Sequence, residues 1–199
     1  MRVSRKQVEE NKRIILEAAG RLFRERGFEA VTVTDVMKAA GLTHGGFYGY
    51  FKSKEELIAQ TIAGLQGGTE PLSVDLSSVA RRYLSPEHRD DYGHGCPLAA
   101  LASEVSRQPG AARSEMTGVL KRQFVRFGKI APGADDEERR RAAIGSSAAM
   151  IGALILARMT DDPDLSVEIL DETRAWLSDR DPKGSANHRL SRKNPRVEG

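Results

Sequence analysis

Between Gly27 and Glu56 the chain carries two glycine stops and three capping residues, a density of punctuation that permits only short helices joined by tight turns. Gly27 can take the left-handed conformation that ends a helix, and Phe28 just beyond it is placed to pack on Phe23. Thr32 offers a hydroxyl cap, with Asp35 three residues on, near the positive end of the helix dipole. Gly41 repeats the stop, and Leu42 is placed to fold back on Met37. Thr43 is a further cap, and Ser53-Lys54-Glu55-Glu56 is a Ser-x-x-Glu capping box that opens a helix through Leu57, Ile58, Ile62 and Leu65.

Upstream, Ile15, Ala19, Leu22 and Phe23 follow the i, i+4, i+7, i+8 spacing of one helix face, and Ser4-x-x-Gln7 forms a second capping box, so the first helix starts at about Arg5. Downstream, Leu76, Val79, Ala80 and Tyr83 share a face. SPEHRDDYGHG, 85–95, reads as a polar loop, and Pro97 starts a helix through Leu98, Leu101, Ala102 and Val105. Longer helices are expected over Arg113 to Ile130, Asp135 to Met159 and Pro163 to Ser178. No alternating run of strand length competes, apart from the brief Ala30-Val31-Thr32-Val33 that the caps contest. The chain reads as all-α: an N-terminal three-helix domain of residues 1–52, a larger helical domain of 53–179, about nine helices in total, and a tail of 180–199. That tail has almost no apolar residues and is expected to be disordered.

Helix, Gly41-Leu42 turn and second short helix from Thr43 have the spacing of a helix-turn-helix, whose second helix enters the DNA major groove. The segment GLTHGGFYGYF then places Phe47 and Phe51 inward, with Tyr50 at their edge, and His44, Gly45, Tyr48 and Gly49 outward. Gly45, Gly46 and Gly49 together cost about 3 kcal/mol of helix propensity relative to Ala. Burial of Phe47 and Phe51 contributes roughly 1.5 to 3 kcal/mol each, enough to hold the segment once docked. The missing outward side chains permit close approach to DNA, and the Tyr48 hydroxyl can reach a phosphate. Lys52 and Lys54 flank a helix N-terminus, where a phosphate would satisfy both the cations and the free N–H groups.

Charge agrees with this polarity. Residues 1–54 hold 11 Lys and Arg against 6 Asp and Glu, whereas residues 55–179 hold 14 against 20. A basic front on an acidic body points to a polyanionic partner for the N-terminal segment, with Arg2, Arg5 and Lys6 available as a basic arm. The first residues lack a secretory apolar segment and Cys96 is the sole cysteine, so the cytoplasm is the expected compartment and no intramolecular disulfide framework is available. AAIGSSAAMIGALILA, 142–157, falls short of a bilayer span and is read as a buried helix.

From about Gln7 to Leu57 the chain, with its run ILEAAGRLFRERGFEAVTVTDVMKAAGLTHGGFYGYFKSKEEL, resembles the N-terminal DNA-binding domain of the TetR/AcrR family of transcriptional regulators. The resemblance implies that Thr43, His44, Gly45, Gly46, Tyr48 and Gly49 lie at the bases or backbone of DNA, and that Thr34, Tyr50 and Lys54 contact phosphates or nearby bases. Gly46 and Gly49 depart from the family, where Ser, Thr or Ala and a larger residue are common, so base reading falls on His44, Thr43 and Thr34.

The same resemblance implies a body that binds a small-molecule effector and dimerises. Residues 135–159 and 163–178 are expected to form the homodimer, the first with Gly145, Ser146, Ala149 and Gly152 for close approach, the second with Leu165, Ile169 and Trp176. Leu65, Tyr83, Cys96, Leu101, Phe124, Phe127 and Met150 are candidate pocket linings. The expected function is a ligand-responsive, sequence-specific regulator, most simply a repressor released from a palindromic operator of double-stranded DNA, needing no cofactor and no membrane.

Two alternatives stand beside it: a DNA-binding protein that senses nothing, and a thiol-based sensor of oxidants or electrophiles through Cys96, at the start of the helix that Pro97 opens. His88, Asp90, Asp91, His94 and Cys96 bring metal-ligand chemistry to one loop, but their spacing fits no standard zinc pattern, and no metal is expected. An enzyme is not expected: HExxH, GxxxxGK, GxSxG and a strand-turn-helix GxGxxG are all missing from the sequence.

Overall fold

The computed structural model describes residues 4–65, 75–108 and 110–181, which hold nine α-helices, one 3-10 helix and no strand. The helices are α1 (Arg5–Ala30), α2 (Val33–Ala39), a 3-10 helix (His44–Gly49), α3 (Lys54–Gly64), α4 (Leu76–Tyr83), α5 (Pro86–Asp90), α6 (Pro97–Val105), α7 (Gly110–Gly128), α8 (Asp136–Met159) and α9 (Pro163–Asp179). The all-α reading holds. Most of the expected tail and part of the expected basic arm lie outside the described residues.

Two compact units divide the chain. Residues 1–68 and 91–121 form the first, and 69–90 with 122–199 the second, so that α7 contributes to both. The first is built on α1, against which α2, α3 and α6 pack. Its core holds Ile15, Ala19, Leu22, Phe23, Phe28, Met37, Phe47, Phe51, Leu57 and Ile62.

α1 begins where Ser4 accepts a hydrogen bond from the Gln7 amide at 3.2 Å. The expected box is only half made, because the Gln7 side chain turns along the helix to donate to Asn11 Oδ1. Gly27, at φ +81, breaks the helix within its last turns, and Phe23 meets Phe28 edge-on with ring centroids 5.2 Å apart, the contact expected of such a stop. Glu104 of α6 seals the break by accepting from the Phe28 amide at 2.5 Å. Sequence periodicity carries no trace of that bond, since its partners stand 76 positions apart.

The second unit packs α4 and α8 on α9 around Leu76, Ala80, Leu84, Phe127, Met150 and Leu170. The stretch read as a polar loop contains α5, because Ser85 caps it through its hydroxyl to the His88 amide and its carbonyl to the Arg89 amide. Arg158 of α8 clamps α5 by donating to the carbonyls of His88 and Arg89, and Arg89 donates to Ser166 of α9. Ser77 donates both its amide and its hydroxyl to Asp181, two buried residues that tie α4 to the end of α9.

α8 corrects the expectation of a buried helix. Ala143, Ser147, Met150 and Leu154 lie inward, yet Ile144, Ile155, Leu156 and Met159 stand exposed. It is long and apolar enough to cross a membrane by length and composition, but only 33% of its most apolar window is buried. Composition reports how apolar a helix is and cannot separate a face covered by its own chain from one left open.

Gly27→Ala is expected to destabilise the protein by about 1 to 3 kcal/mol, because the position needs φ > 0 and a Cβ there collides with the Glu104 carboxylate. Gly41→Ala meets the same backbone strain at φ +71 but open space, so its loss is smaller. Denaturant unfolding of both variants checks the order.

Candidate nucleic-acid interface

α2 starts on a complete capping box. Thr32 Oγ1 accepts from the Asp35 amide at 3.1 Å, and Asp35 Oδ2 accepts from the Thr32 amide at 2.9 Å and its hydroxyl at 2.6 Å. These bonds, the hydroxyl's foremost, hold the Asp35 carboxyl below its ordinary value of 3.8. The helix closes through Gly41, whose amide reaches the Lys38 carbonyl while that of Leu42 reaches the Met37 carbonyl at 2.9 Å. Six residues cross the turn and wind as a 3-10 helix instead of the expected α-helix. Three glycines weaken the longer α-helical ladder, and a short tight turn satisfies the backbone: the Gly46 amide reaches the Thr43 carbonyl, and those of Tyr50 and Phe51 reach the Phe47 carbonyl.

Phe47 and Phe51 pin this turn from below. They are 1% and 2% exposed and stack with centroids 5.6 Å apart. Lys12 of α1 lies 5.5 Å from the centre of the Phe51 ring.

Outward, Thr43, His44, Gly45 and Gly49 are exposed, and Tyr48 is 72% exposed. A Cβ added at Gly45 or Gly49 meets nothing within 4 Å, so the surface is bare there; at Gly46 it would touch Met37 and Thr43 at 3.8 Å. Thr34 of α2 and His44 come together, Thr34 Oγ1 lying 3.1 Å from His44 Nδ1. This pairing crosses the turn and orients the imidazole relative to α2.

Tyr50 is held from the side. Asn11 of α1 donates to its hydroxyl at 2.8 Å and itself accepts from Gln7, a relay that fixes the phenol while leaving its proton free to donate. Sequence reasoning missed Asn11; its i, i+4 relation to Gln7 was the available signal. At α3, Ser53 Oγ accepts from the Glu56 amide as expected, but Glu56 returns to the Lys52 amide at 2.6 Å, one residue beyond the box. The Lys52 and Glu56 amides thus already have partners, and beside them the Lys52 side chain is exposed and that of Lys54 half-buried.

The expected pocket residues fall in two groups. Tyr83, Phe127 and Met150 share the core of the second unit, with Phe124 half-buried on α7. Leu65 and Leu101 belong to the first unit, where Leu101 is core and Leu65 lines a half-open cavity of about 700 Å³. Cys96 precedes α6, half-buried. Of the loop's metal-ligating residues, His88 bonds through Nδ1 to the Tyr83 carbonyl and His94 to Asp91, and among the described residues no three of His, Cys, Asp and Glu converge on a metal position.

Residues 15–61 match the profile of the bacterial regulatory proteins of the tetR family. The HTH-type transcriptional regulator TtgR of Pseudomonas putida is 34% identical over 201 residues, which covers 89% of this chain and 92% of that protein. The HTH-type transcriptional repressor KstR2 of Mycobacterium tuberculosis is 40% identical over 58 residues, 29% of each chain. Among solved structures, Escherichia coli NemR in its reduced form superposes with a TM-score of 0.64 at 19% identity, covering 86% of this chain and 98% of that one. A TetR transcriptional regulator from Legionella pneumophila gives 0.65 at 19% identity, covering 90% and 98%.

The Thr32–Asp35 box generates a pH-dependent prediction. A depressed carboxyl contributes stability that is present above its ordinary value and lost as pH falls through the lower folded value. The melting-temperature gap between the parent and Asp35→Asn is therefore expected to be widest near neutrality and to close as the pH drops below 3.8. A gap that stays constant across thermal melts at neutral and acidic pH would contradict it.

Proposed function

The chain belongs to the tetR family of bacterial regulatory proteins as a DNA-binding transcriptional regulator, and from that premise we propose that it is a cytoplasmic, homodimeric repressor released from a palindromic operator by a small-molecule effector. Its relatives are regulators rather than enzymes. The observation that carries the reading is the outward surface of the 3-10 helix, bare at Gly45 and Gly49 and bounded by Tyr48 and the Thr34–His44 pair.

Residues 1–52 act as the DNA-binding domain and residues 53–179 as the sensing and dimerising one. Glycine brings the backbone close to the groove floor, and the imidazole, with Thr43 beside it, supplies hydrogen-bonding groups for base edges. Tyr48, Tyr50 and Lys54 take phosphates, with Gly46 keeping the turn close, so register is set by backbone contacts while His44 and Thr34 read sequence.

Dimerisation uses α8 and α9. Ile144, Ile155 and Met159 recur along one stripe of α8, and Leu165 and Trp176 along one of α9, all exposed in the single chain. Arg180 covers part of the indole, its guanidinium 3.7 Å from the ring centre. Two half-sites about 34 Å apart then engage two recognition segments. The effector is received among Tyr83, Phe124, Phe127 and Met150 or near Leu65, Cys96 and Leu101, and α3 transmits its arrival. Near-complete release needs about 5.5 kcal/mol of preference for the non-binding conformation.

Binding-site selection with the purified protein is expected to return a palindrome, and His44→Ala to relax preference within each half-site while leaving salt-dependent affinity in place. Binding without sequence preference would favour the non-sensing alternative, and an unchanged selection with His44→Ala would remove the role given to the imidazole. Small-molecule release from the selected DNA tests the effector. Ile155→Asp is expected to give a folded monomer by size-exclusion chromatography with operator affinity lost; a dimer at the parent's concentration would overturn the assignment of α8 and α9.

A further inference from the structure

We propose that Thr34 is a positioning residue that sets the tautomer of His44: its hydroxyl donates to Nδ1, so the imidazole presents Nε2–H outward and takes guanine as its base. His44 stands at the bases only under the repressor reading above, on which this proposal rests; what is added is which base it takes and what fixes the choice. Thr34 then reads sequence through His44.

Thr34 lies in the first turn of α2 and His44 at the start of the 3-10 helix, with Oγ1 and Nδ1 3.1 Å apart. Both are exposed, and neither side chain makes any other hydrogen bond among the described residues. The partner of this ring differs from those of the other two described histidines. His88 Nδ1 faces the Tyr83 carbonyl at 2.6 Å and His94 Nδ1 the Asp91 carboxylate at 3.2 Å, groups that only accept, so each Nδ1 carries the proton there. His44 faces a hydroxyl, which has a proton of its own to give. That proton is unspent: Thr117 donates to the Arg113 carbonyl four residues back at 2.9 Å, whereas Thr34 makes no such bond. The neighbouring carboxylate of Asp35 is turned to the Thr32 amide and hydroxyl and makes no bond to the ring.

Two arrangements keep the Thr34–His44 bond, and they differ in what Nε2 offers. If Nδ1–H donated to Thr34, Nε2 would face DNA as a lone pair and the hydroxyl proton would be left to water. If Thr34 donates, Nε2 carries the proton. The second suits a polyanion, whose negative field favours a donor over a lone pair. In the major groove guanine presents two acceptors, N7 and O6, while cytosine presents the N4 donor and adenine sets its N6 donor beside N7. An Nε2–H donor therefore separates G·C from C·G. A Cβ at Gly45 would meet nothing within 4 Å, so the chain next to His44 is open for a base edge to approach.

Long-range proton–nitrogen NMR correlation on the full chain at pH 8, above the ordinary imidazole range, reads the tautomer without DNA. Nε2 is expected to be the protonated nitrogen of His44, with Thr34→Val lowering that fraction and Thr34→Ser restoring it. Binding-site selection at the same pH is expected to return guanine at the half-site position that His44→Ala relaxes. Swapping that guanine for cytosine is expected to weaken the parent and Thr34→Ser by about tenfold, and Thr34→Val by about threefold or less. Should Thr34→Val not fold, 7-deazaguanine at that position, which lacks the N7 acceptor, is expected to weaken the parent by about threefold or more. A proton on Nδ1, cytosine at that position, a guanine preference that Thr34→Val keeps in full, or one seen only at acidic pH would overturn the proposal. A palindrome with cytosine at the His44 position would leave the repressor reading standing and sink this proposal alone. Should no sequence be selected, that reading fails, and the imidazole spectrum still decides the role given to Thr34.

Discussion

Phe47 and Phe51, stacked and out of water beneath a segment with three glycines, are the constraint on which the exposed surface of the 3-10 helix depends. Glycine leaves that surface bare and at the same time removes the propensity that would hold it. Aromatic burial supplies what propensity lacks, through a 3-10 turn short enough for two rings to anchor. The stop at Gly27 works in the same way: it breaks α1 near its end and sends Phe28 into the core beside Phe23, and Glu104 accepts from the Phe28 amide.

This arrangement separates the side chains that hold the segment from those it leaves exposed. Phe47 and Phe51 hold, the Asn11–Tyr50 bond and the Thr32–Asp35 box fix the edges, and His44, Thr34 and Tyr48 face outward, where the proposed reading and positioning fall. In the second unit the same economy uses arginine: Arg89, Arg158 and Arg174 donate to backbone carbonyls or a serine, closing helix ends with groups that local sequence does not provide.

Local signals were legible wherever both partners lay within a turn or two. The caps at Ser4, Thr32 and Ser53 and the glycine stops at Gly27 and Gly41 acted where the sequence placed them, whereas Thr43, also expected to cap, makes no side-chain cap bond. Misreadings came where two local solutions compete. Gln7 chose Asn11 over the Ser4 amide, Glu56 chose the Lys52 amide over that of Ser53, and the polar stretch after Ser85 took a helical turn because the helix that clamps it, α8, is distant in sequence.

The amino-acid sequence by itself determined the helical class, the order of the elements, the inward pair Phe47 and Phe51 and the family to which the chain belongs, because caps, stops and apolar spacing act over a few residues. Only the tertiary structure decided that the segment His44–Gly49 winds as a 3-10 helix, that Thr34 meets His44 and that Glu104 reaches the end of α1. Each of these depends on which surfaces are brought together and which polar groups lose water there, and no window of neighbouring residues contains that information.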